Sequence, residues 1–125
     1  MIADSWQLDP NELEAIEQDE EGLTYLWMAE KTPQNIRYVT LSRSNESGEV
    51  YVERDDQGWS CYGGIEKIQL VPTGLKVHLN ANGKSHLGGI TQLDITFGPQ
   101  IKPSYERIKK VLRRLVSNGV LSIQQ

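Results

Sequence analysis

Short runs in which apolar or β-branched side chains alternate with polar ones cover most of the chain between residues 23 and 97. The runs lie at 23–30, 36–42, 49–54, 59–71, 75–80 and 91–97. A period of two indicates β-strands, because successive side chains of a strand point to opposite faces. Turn-forming segments separate the runs, among them Asp55-Asp56-Gln57-Gly58, which predicts a hairpin. The pattern therefore predicts about six or seven antiparallel strands.

Breaks in the pattern predict where strands bend or stop. The pair Gly63-Gly64 interrupts the longest run. Paired glycines inside a strand are typical of a bulge, a sharp bend or the close approach of another backbone. We expect a loop at 80–84 and a short final strand at 120–123.

The C-terminal part of the chain changes to helical spacing. Apolar residues recur there three or four positions apart, at Tyr105, Ile108, Val111, Leu112, Leu115 and Val116. This spacing predicts an amphipathic helix that ends near Asn118-Gly119. Its opposite face, the basic helix face, carries Arg107, Lys110, Arg113 and Arg114. We expect this face to be solvated or to pair with acidic residues, and we expect no nucleic acid partner for a chain that is acidic overall.

The N-terminal segment is acidic, with nine Asp or Glu residues and no Lys or Arg in the first thirty positions. Asp9 followed by Pro10 is typical of the start of a helix. Residues 10–21 are therefore expected to form a short helix or a loose acidic arm. On this interpretation residues 1–21 are an acidic arm, and residues 22–125 are a single β-rich domain with a C-terminal helix.

The order of elements predicts an α+β fold that is mostly β. Two layouts are compatible with it: a curved antiparallel sheet with the helix on one face, or a small barrel closed by the helix. The barrel would resemble a pleckstrin-homology arrangement, in element order alone. A length of 125 residues suits one domain.

Composition and charge indicate the cellular setting. The net charge is −4, and the apolar runs are far shorter than the roughly 20 residues that span a bilayer. The first residues lack the basic and apolar regions of a secretory signal. A single cysteine, Cys61, allows no intrachain disulfide. We therefore expect a cytoplasmic protein without membrane contact, and its oligomeric state is left open.

Candidate catalytic and metal-binding side chains are few. His78 and His86 lack the spacing of a zinc site, and the neighbours of Cys61 offer no base to activate its thiol. The glycine pairs lack the pattern of a phosphate-binding loop. We therefore expect no enzymatic activity, no cofactor and no metal site.

One group of carboxylates, Glu53, Asp55 and Asp56 with Glu66 further along the chain, supports an alternative function that would use the first three. Neighbouring carboxylates can bind a divalent cation or divide acid and base roles in hydrolysis. A small metal-dependent hydrolase is therefore the first alternative. Asp is also expected in a turn for backbone reasons, and this structural interpretation is preferred.

Tyrosine and tryptophan dominate the aromatic residues. The chain has Trp6, Tyr25, Trp27, Tyr38, Tyr51, Trp59, Tyr62 and Tyr105 against a single phenylalanine, Phe97. These side chains combine apolar area with a polar tip and are enriched where proteins bind one another. The aromatic composition therefore favours a protein-binding function.

Three segments carry a family resemblance: Tyr38-Val-Thr-Leu-Ser-Arg43, Tyr51-Val-Glu-Arg-Asp-Asp-Gln-Gly-Trp-Ser-Cys-Tyr-Gly-Gly-Ile65 and Leu75-Lys-Val-His-Leu79. Together they resemble the immunity protein 10 family of bacterial polymorphic toxin systems, over roughly residues 22–116. The resemblance implies a mostly β protein that protects a cell by binding a cognate toxin, often a nuclease. It implies no catalytic residues and leaves the acidic lead-in outside the family region.

An acidic surface can mimic nucleic acid toward a basic nuclease. Two acidic regions are therefore candidate contact surfaces. They are the arm, with Glu17, Asp19, Glu20 and Glu21, and the hairpin tip, with Glu53, Asp55, Asp56 and Trp59. Besides the hydrolase, the remaining alternative is a lipid- or peptide-binding module that uses the basic helix face.

Overall fold

The computed structural model describes residues 4–18, 20–44, 48–117 and 119–124. Within these residues the strands are β1 Ser5–Leu8, β2 Glu12–Ile16, β3 Leu23–Thr32, β4 Asn35–Ser44, β5 Tyr51–Arg54, β6 Asp56–Tyr62, β7 Ile65–Val71, β8 Gly74–Leu79, β9 Gln92–Thr96 and β10 Leu121–Ile123. The helices are α1 Ala81–His86 and α2 Tyr105–Leu115, and a 3-10 turn at Lys102–Ser104 precedes α2. The predicted α+β, mostly β fold with a C-terminal helix is confirmed.

The strands form two five-stranded sheets. The first, here called the meander sheet, has the order β2-β3-β4-β5-β6, and every neighbouring pair in it is antiparallel. The second, the mixed sheet, has the order β1-β9-β8-β7-β10. Its two edge strands pair in parallel, β1 with β9 and β10 with β7. The layout is thus a pair of sheets and not a closed barrel, and the described strands outnumber the six or seven expected.

A single apolar core joins the two sheets and α2. The helix packs against β2, β3 and β4, and its apolar stripe is fully buried at Ile108, Val111, Leu112 and Leu115. The same core contains inward-facing residues from both sheets. One face of the meander sheet is therefore covered by the core, and the opposite face is free of the helix.

The N-terminal segment corrects one prediction. In place of a short helix or loose arm at residues 10–21, Glu12–Ile16 is a strand paired with β3. Leu13 lies opposite Met28 and Ala15 opposite Leu26, so this segment alternates with a period of two. The helix-start signal at Pro10 was outweighed because strand pairing places Ala15 in the core, at 3% exposure.

The break at Gly63-Gly64 is a close approach of two backbones, as the glycine pair predicted. A Cβ on Gly64 would lie 2.8 Å from Cα of Gly83, and a Cβ on Gly83 would lie 2.3 Å from the Gly64 carbonyl oxygen. Gly83 belongs to α1, so the loop expected at 80–84 is wrong. Asn80 caps that helix, its side chain accepting a hydrogen bond from the Gly83 amide at 2.9 Å.

The chain end agrees with the expected final strand. Leu121–Ile123 forms β10 and pairs with β7. Helix α2 ends at Leu115, with Val116 already extended, so it stops before the predicted Asn118-Gly119 signal. Asn118 itself lies outside the described residues.

Candidate protein-binding face

The outer face of the meander sheet carries two rows of aromatic and carboxylate side chains. Residues directly opposite one another on neighbouring strands share a face. The first row is Ile16, Tyr25, Ser42, Tyr51 and Tyr62, and the second is Glu14, Trp27, Thr40, Glu53 and Ser60. The intervening residues, such as Leu26, Leu41 and Val52, are buried in the core. We call the outward group Glu14, Tyr25, Trp27, Tyr38, Tyr51, Glu53 and Tyr62 the aromatic–acidic face.

Glu53 is fixed at the centre of this face by two tyrosines. The hydroxyl groups of Tyr38 and Tyr51 both donate to its carboxylate, one to each oxygen. Burial raises the pKa of Tyr38 and of Tyr51, and the hydrogen bonds to Glu53 add to both shifts. The phenols therefore stay protonated as donors, and they hold a negative charge in one orientation at the surface.

An open basin lies beside Glu53, with a volume of ≈ 490 Å³. It is lined by Glu12, Glu14, Leu23, Tyr25, Trp27, Thr40 and Ser42. The Tyr25 hydroxyl donates to Oε1 of Glu14 at 3.1 Å, while Glu12 pairs with Lys31 at 3.1 Å on the rim. The basin thus combines flat aromatic walls with carboxylate oxygens, a combination suited to a cationic or amphipathic group.

Asp55, expected at the hairpin tip, is instead turned into the structure. It takes a positive φ of 60°, and its backbone amide donates to the Tyr38 carbonyl at 3.0 Å. Its carboxylate accepts from Nε1 of Trp6 at 2.8 Å and from the Tyr38 amide at 3.1 Å. Arg37 and Arg54 lie 3.8 Å and 3.4 Å from the same carboxylate. Asp55 therefore organises the fold around the hairpin.

Arg54 connects the hairpin to the segment after α1. Its guanidinium donates twice to the Leu87 carbonyl, at 2.8 Å and 3.1 Å, and lies 3.8 Å from the ring centroid of Trp59. Burial lowers the pKa of Arg54, and the Asp55 carboxylate opposes that shift. Trp59 stays 41% exposed. The hairpin edge therefore presents a tryptophan whose inner side is stacked on a buried cation.

The remaining predicted residues lie apart from one another. Asp56 is exposed and accepts a hydrogen bond from the Gly58 amide at 2.7 Å. Glu17, Glu20 and Glu21 are exposed in the connection from β2 to β3, here called the acidic turn. Asp19 lies outside the described residues. Because β2 and β6 are opposite edges of the meander sheet, the aromatic–acidic face lies between the two predicted surfaces.

The carboxylates proposed for hydrolysis do not share a site. Glu53 points to the outer face, Asp55 turns inward to Trp6, and Asp56 caps the hairpin amide. Within the described part of the chain, no group of three or more His, Cys, Asp or Glu side chains is placed to hold a metal ion. Cys61 is buried, which raises the pKa of its thiol. Asp55 and Asp56 take part in hydrogen bonds within the fold, and Cys61 packs in the core.

The basic helix face is exposed along α2. Arg114 reaches back to the N-terminal segment, where it donates to Oε1 of Gln18 at 3.1 Å. No helix among the described residues has the length and hydrophobicity of a bilayer-spanning segment. This hydrogen bond links α2 to the acidic turn, in which Gln18 lies.

The amino-acid sequence does not show the aromatic–acidic face as a unit. Its excess of tyrosine and tryptophan is visible, but only strand pairing brings Glu14, Tyr25 and Trp27 together with Tyr51 and Glu53. The available signal was the period of two in each strand. This period does not give the register between strands, and the register decides which residues of neighbouring strands share a face.

The family of the chain follows from its match to a model of a known protein family. The family model described as immunity protein 10 matches residues 10–103 of the 125. The chain therefore belongs to the immunity protein 10 family. The match begins at residue 10, so β2 lies inside the family region, contrary to the expectation that the acidic lead-in falls outside. No curated protein and no solved structure matches the chain.

Proposed function

We propose that this chain is an immunity protein that neutralises a cognate bacterial toxin by direct protein–protein contact. The observation that carries the proposal is the family match over residues 10–103. Immunity by binding needs a surface that another protein can bury, and it needs no catalytic group. The protein would act in the bacterial cytoplasm, where it would bind a toxin that enters the cell or is made there.

The outer face of the meander sheet supports binding as the mechanism. Tyrosine and tryptophan are enriched among residues that dominate binding energy at protein interfaces. Here Tyr62 is 58% exposed and packs against Tyr51, with ring centroids 5.0 Å apart. A preordered aromatic surface loses little side-chain entropy when a partner covers it.

The charge of this surface supports a basic partner. Glu14 and Glu53 lie on it in one row, and the acidic turn adds exposed carboxylates at its edge. Complementary charge accelerates encounter and disfavours wrong partners. A nuclease is the toxin class that this pattern fits best, because enzymes that bind nucleic acid present basic surfaces.

Affinity capture followed by a rescue assay tests the proposal. The tagged full chain is used to capture its partner from native lysate at low salt, and the captured protein is identified by mass spectrometry. The toxin domain of that protein is then expressed in a foreign bacterial host with and without this chain. We expect growth arrest by the toxin alone and recovery on co-expression. A captured protein whose toxicity the chain does not relieve would contradict the proposed function.

A further inference from the structure

Trp27 has an open aromatic face next to negative charge. Arginine side chains of the chain itself lie over the other two tryptophans: Arg37 at 5.0 Å from Trp6 and Arg54 at 3.8 Å from Trp59. Within the described part of the chain, no lysine or arginine lies over the Trp27 ring. The residues that line its basin include two glutamates and no basic residue.

We infer that the aromatic–acidic face binds an arginine-bearing segment of the toxin, with one guanidinium stacked on Trp27 and paired with Glu14. This inference rests on the proposed function and specifies its contact surface. A guanidinium is planar, so it can stack on an indole and still donate in its own plane to a carboxylate. The arrangement repeats the one inside the fold, where Arg54 stacks on Trp59 and contacts Asp55.

Glu53 supplies a second anchor for the same segment. Neighbouring strands lie about 4.8 Å apart, and Glu14 and Glu53 are separated by three such steps in one register row, or about 14 Å. An extended chain covers about 3.3 Å per residue, so side chains four positions apart are separated by about 13 Å. The face therefore fits a segment with two basic side chains four positions apart, of which the one at Trp27 is arginine.

A peptide titration tests this recognition without the toxin. The probe is an acetylated, amidated extended peptide with arginines four positions apart, and its matched control carries citrulline, which is isosteric and uncharged. We expect a saturable shift of the Trp27 indole signal in the NMR spectrum with the arginine peptide. The shift should be absent with the citrulline peptide and in the double variant Glu14→Gln, Glu53→Gln. No saturable shift with the arginine peptide, or equal shifts with both peptides, would overturn the inference.

The captured toxin domain gives the second measurement. Trp27→Ala should raise the Kd of the complex with this domain at least about thirtyfold, the scale of an interface hot spot. Glu66→Gln, an exposed change on β7 of the other sheet, should leave Kd unchanged. Thermal melting of each variant checks that the fold is kept. If Trp27→Ala binds and neutralises as well as the wild type, the inference is wrong while the proposed function stands.

A second copy of this chain is the competing occupant, because its basic helix face is also cationic. Analytical ultracentrifugation of the full chain decides between them. A monomer that binds the toxin through this face supports the inference. A dimer that is lost in the Glu14→Gln, Glu53→Gln variant would assign the face to self-association and overturn it.

Discussion

The indole Nε1 of Trp6 donates a hydrogen bond of 2.8 Å to Oδ2 of Asp55, a residue 49 positions along the chain. Trp6 belongs to β1 at the edge of the mixed sheet, and Asp55 lies at the β5–β6 hairpin of the meander sheet. Arg37 lies over the same indole at 5.0 Å and pairs with the same carboxylate. This cluster ties the two sheets together at one corner.

Removing the Asp55 carboxylate is expected to loosen that corner. Asp55→Ala leaves the Trp6 indole and the Tyr38 amide without their acceptor, and it places alanine at a positive φ. We expect the free energy of unfolding to fall by about 2–4 kcal/mol. Urea denaturation followed by fluorescence measures the change. The neighbouring Asp56→Ala, at an exposed position, should cost less than about 1 kcal/mol; equal losses would contradict the assigned role of Asp55.

The contact between Gly64 and Gly83 allows a second test. Gly83→Ala would normally stabilise a helix by about 1 kcal/mol. Here the added Cβ would lie 2.3 Å from the Gly64 carbonyl oxygen, so the backbones must separate. We expect a net loss of about 1–3 kcal/mol in the free energy of unfolding, measured by urea denaturation. Gly48→Ala is the control, since nothing lies within 4 Å of its Cβ position. A stabilised Gly83→Ala variant would show that the two backbones are not in contact.

Much of the fold was predictable because local signals and tertiary pairing agreed. The segments of β3 and β4 alternate between inward and outward side chains with a period of two. The apolar residues from Tyr105 to Leu115 recur at helical spacing, and they form α2. The segment at Glu12–Ile16 was missed because a helix-start signal competed with a short alternation, and only pairing with β3 decided between them. Parallel edge pairs such as β1 with β9 join residues too distant for a local pattern to predict.

The candidate site was less predictable, because it depends on register. Glu53 and Asp55 are two positions apart, yet Glu53 is held on the outer face and Asp55 turns toward Trp6. A register shift between Glu53 and Arg54 in the β5–β6 pair accompanies this divergence. A bulge changes where the following side chains point, and the sequence alone does not locate the extra residue.

His78 predicts a pH dependence of stability. Burial lowers its pKa below the ordinary value of 6.5, and the nearby Lys67 lowers it further. Its Nε2 lies 2.8 Å from Oε1 of Gln69. Because the unfolded chain binds a proton more readily, His78 contributes stability above pH 6.5 that is lost as pH falls through its folded pKa.

The measurement is the free energy of unfolding against pH, from 6.5 downward, for the wild type and His78→Gln. The variant should show a smaller decrease over this window, since it carries no titrating ring at that position. Carboxylates that lie far from residue 78 contribute equally to both curves and cancel in the difference. Superimposed curves for wild type and His78→Gln would rule out this contribution.

The acidic turn is expected to act on the rate of encounter with the toxin. Its three glutamates are exposed at the edge of the aromatic–acidic face, so they attract a basic partner over distance without being buried. Replacing all three with glutamine should lower the association rate constant several-fold at low salt and flatten its salt dependence, while the dissociation rate constant changes little. Stopped-flow mixing with the captured toxin domain at several ionic strengths measures both. Replacing the arginines and lysine of the basic helix face with glutamine is the opposite-charge control, and it should not slow association. A triple variant that dissociates faster but associates normally would place the acidic turn inside the interface, because only groups buried by the partner hold the complex together once it has formed.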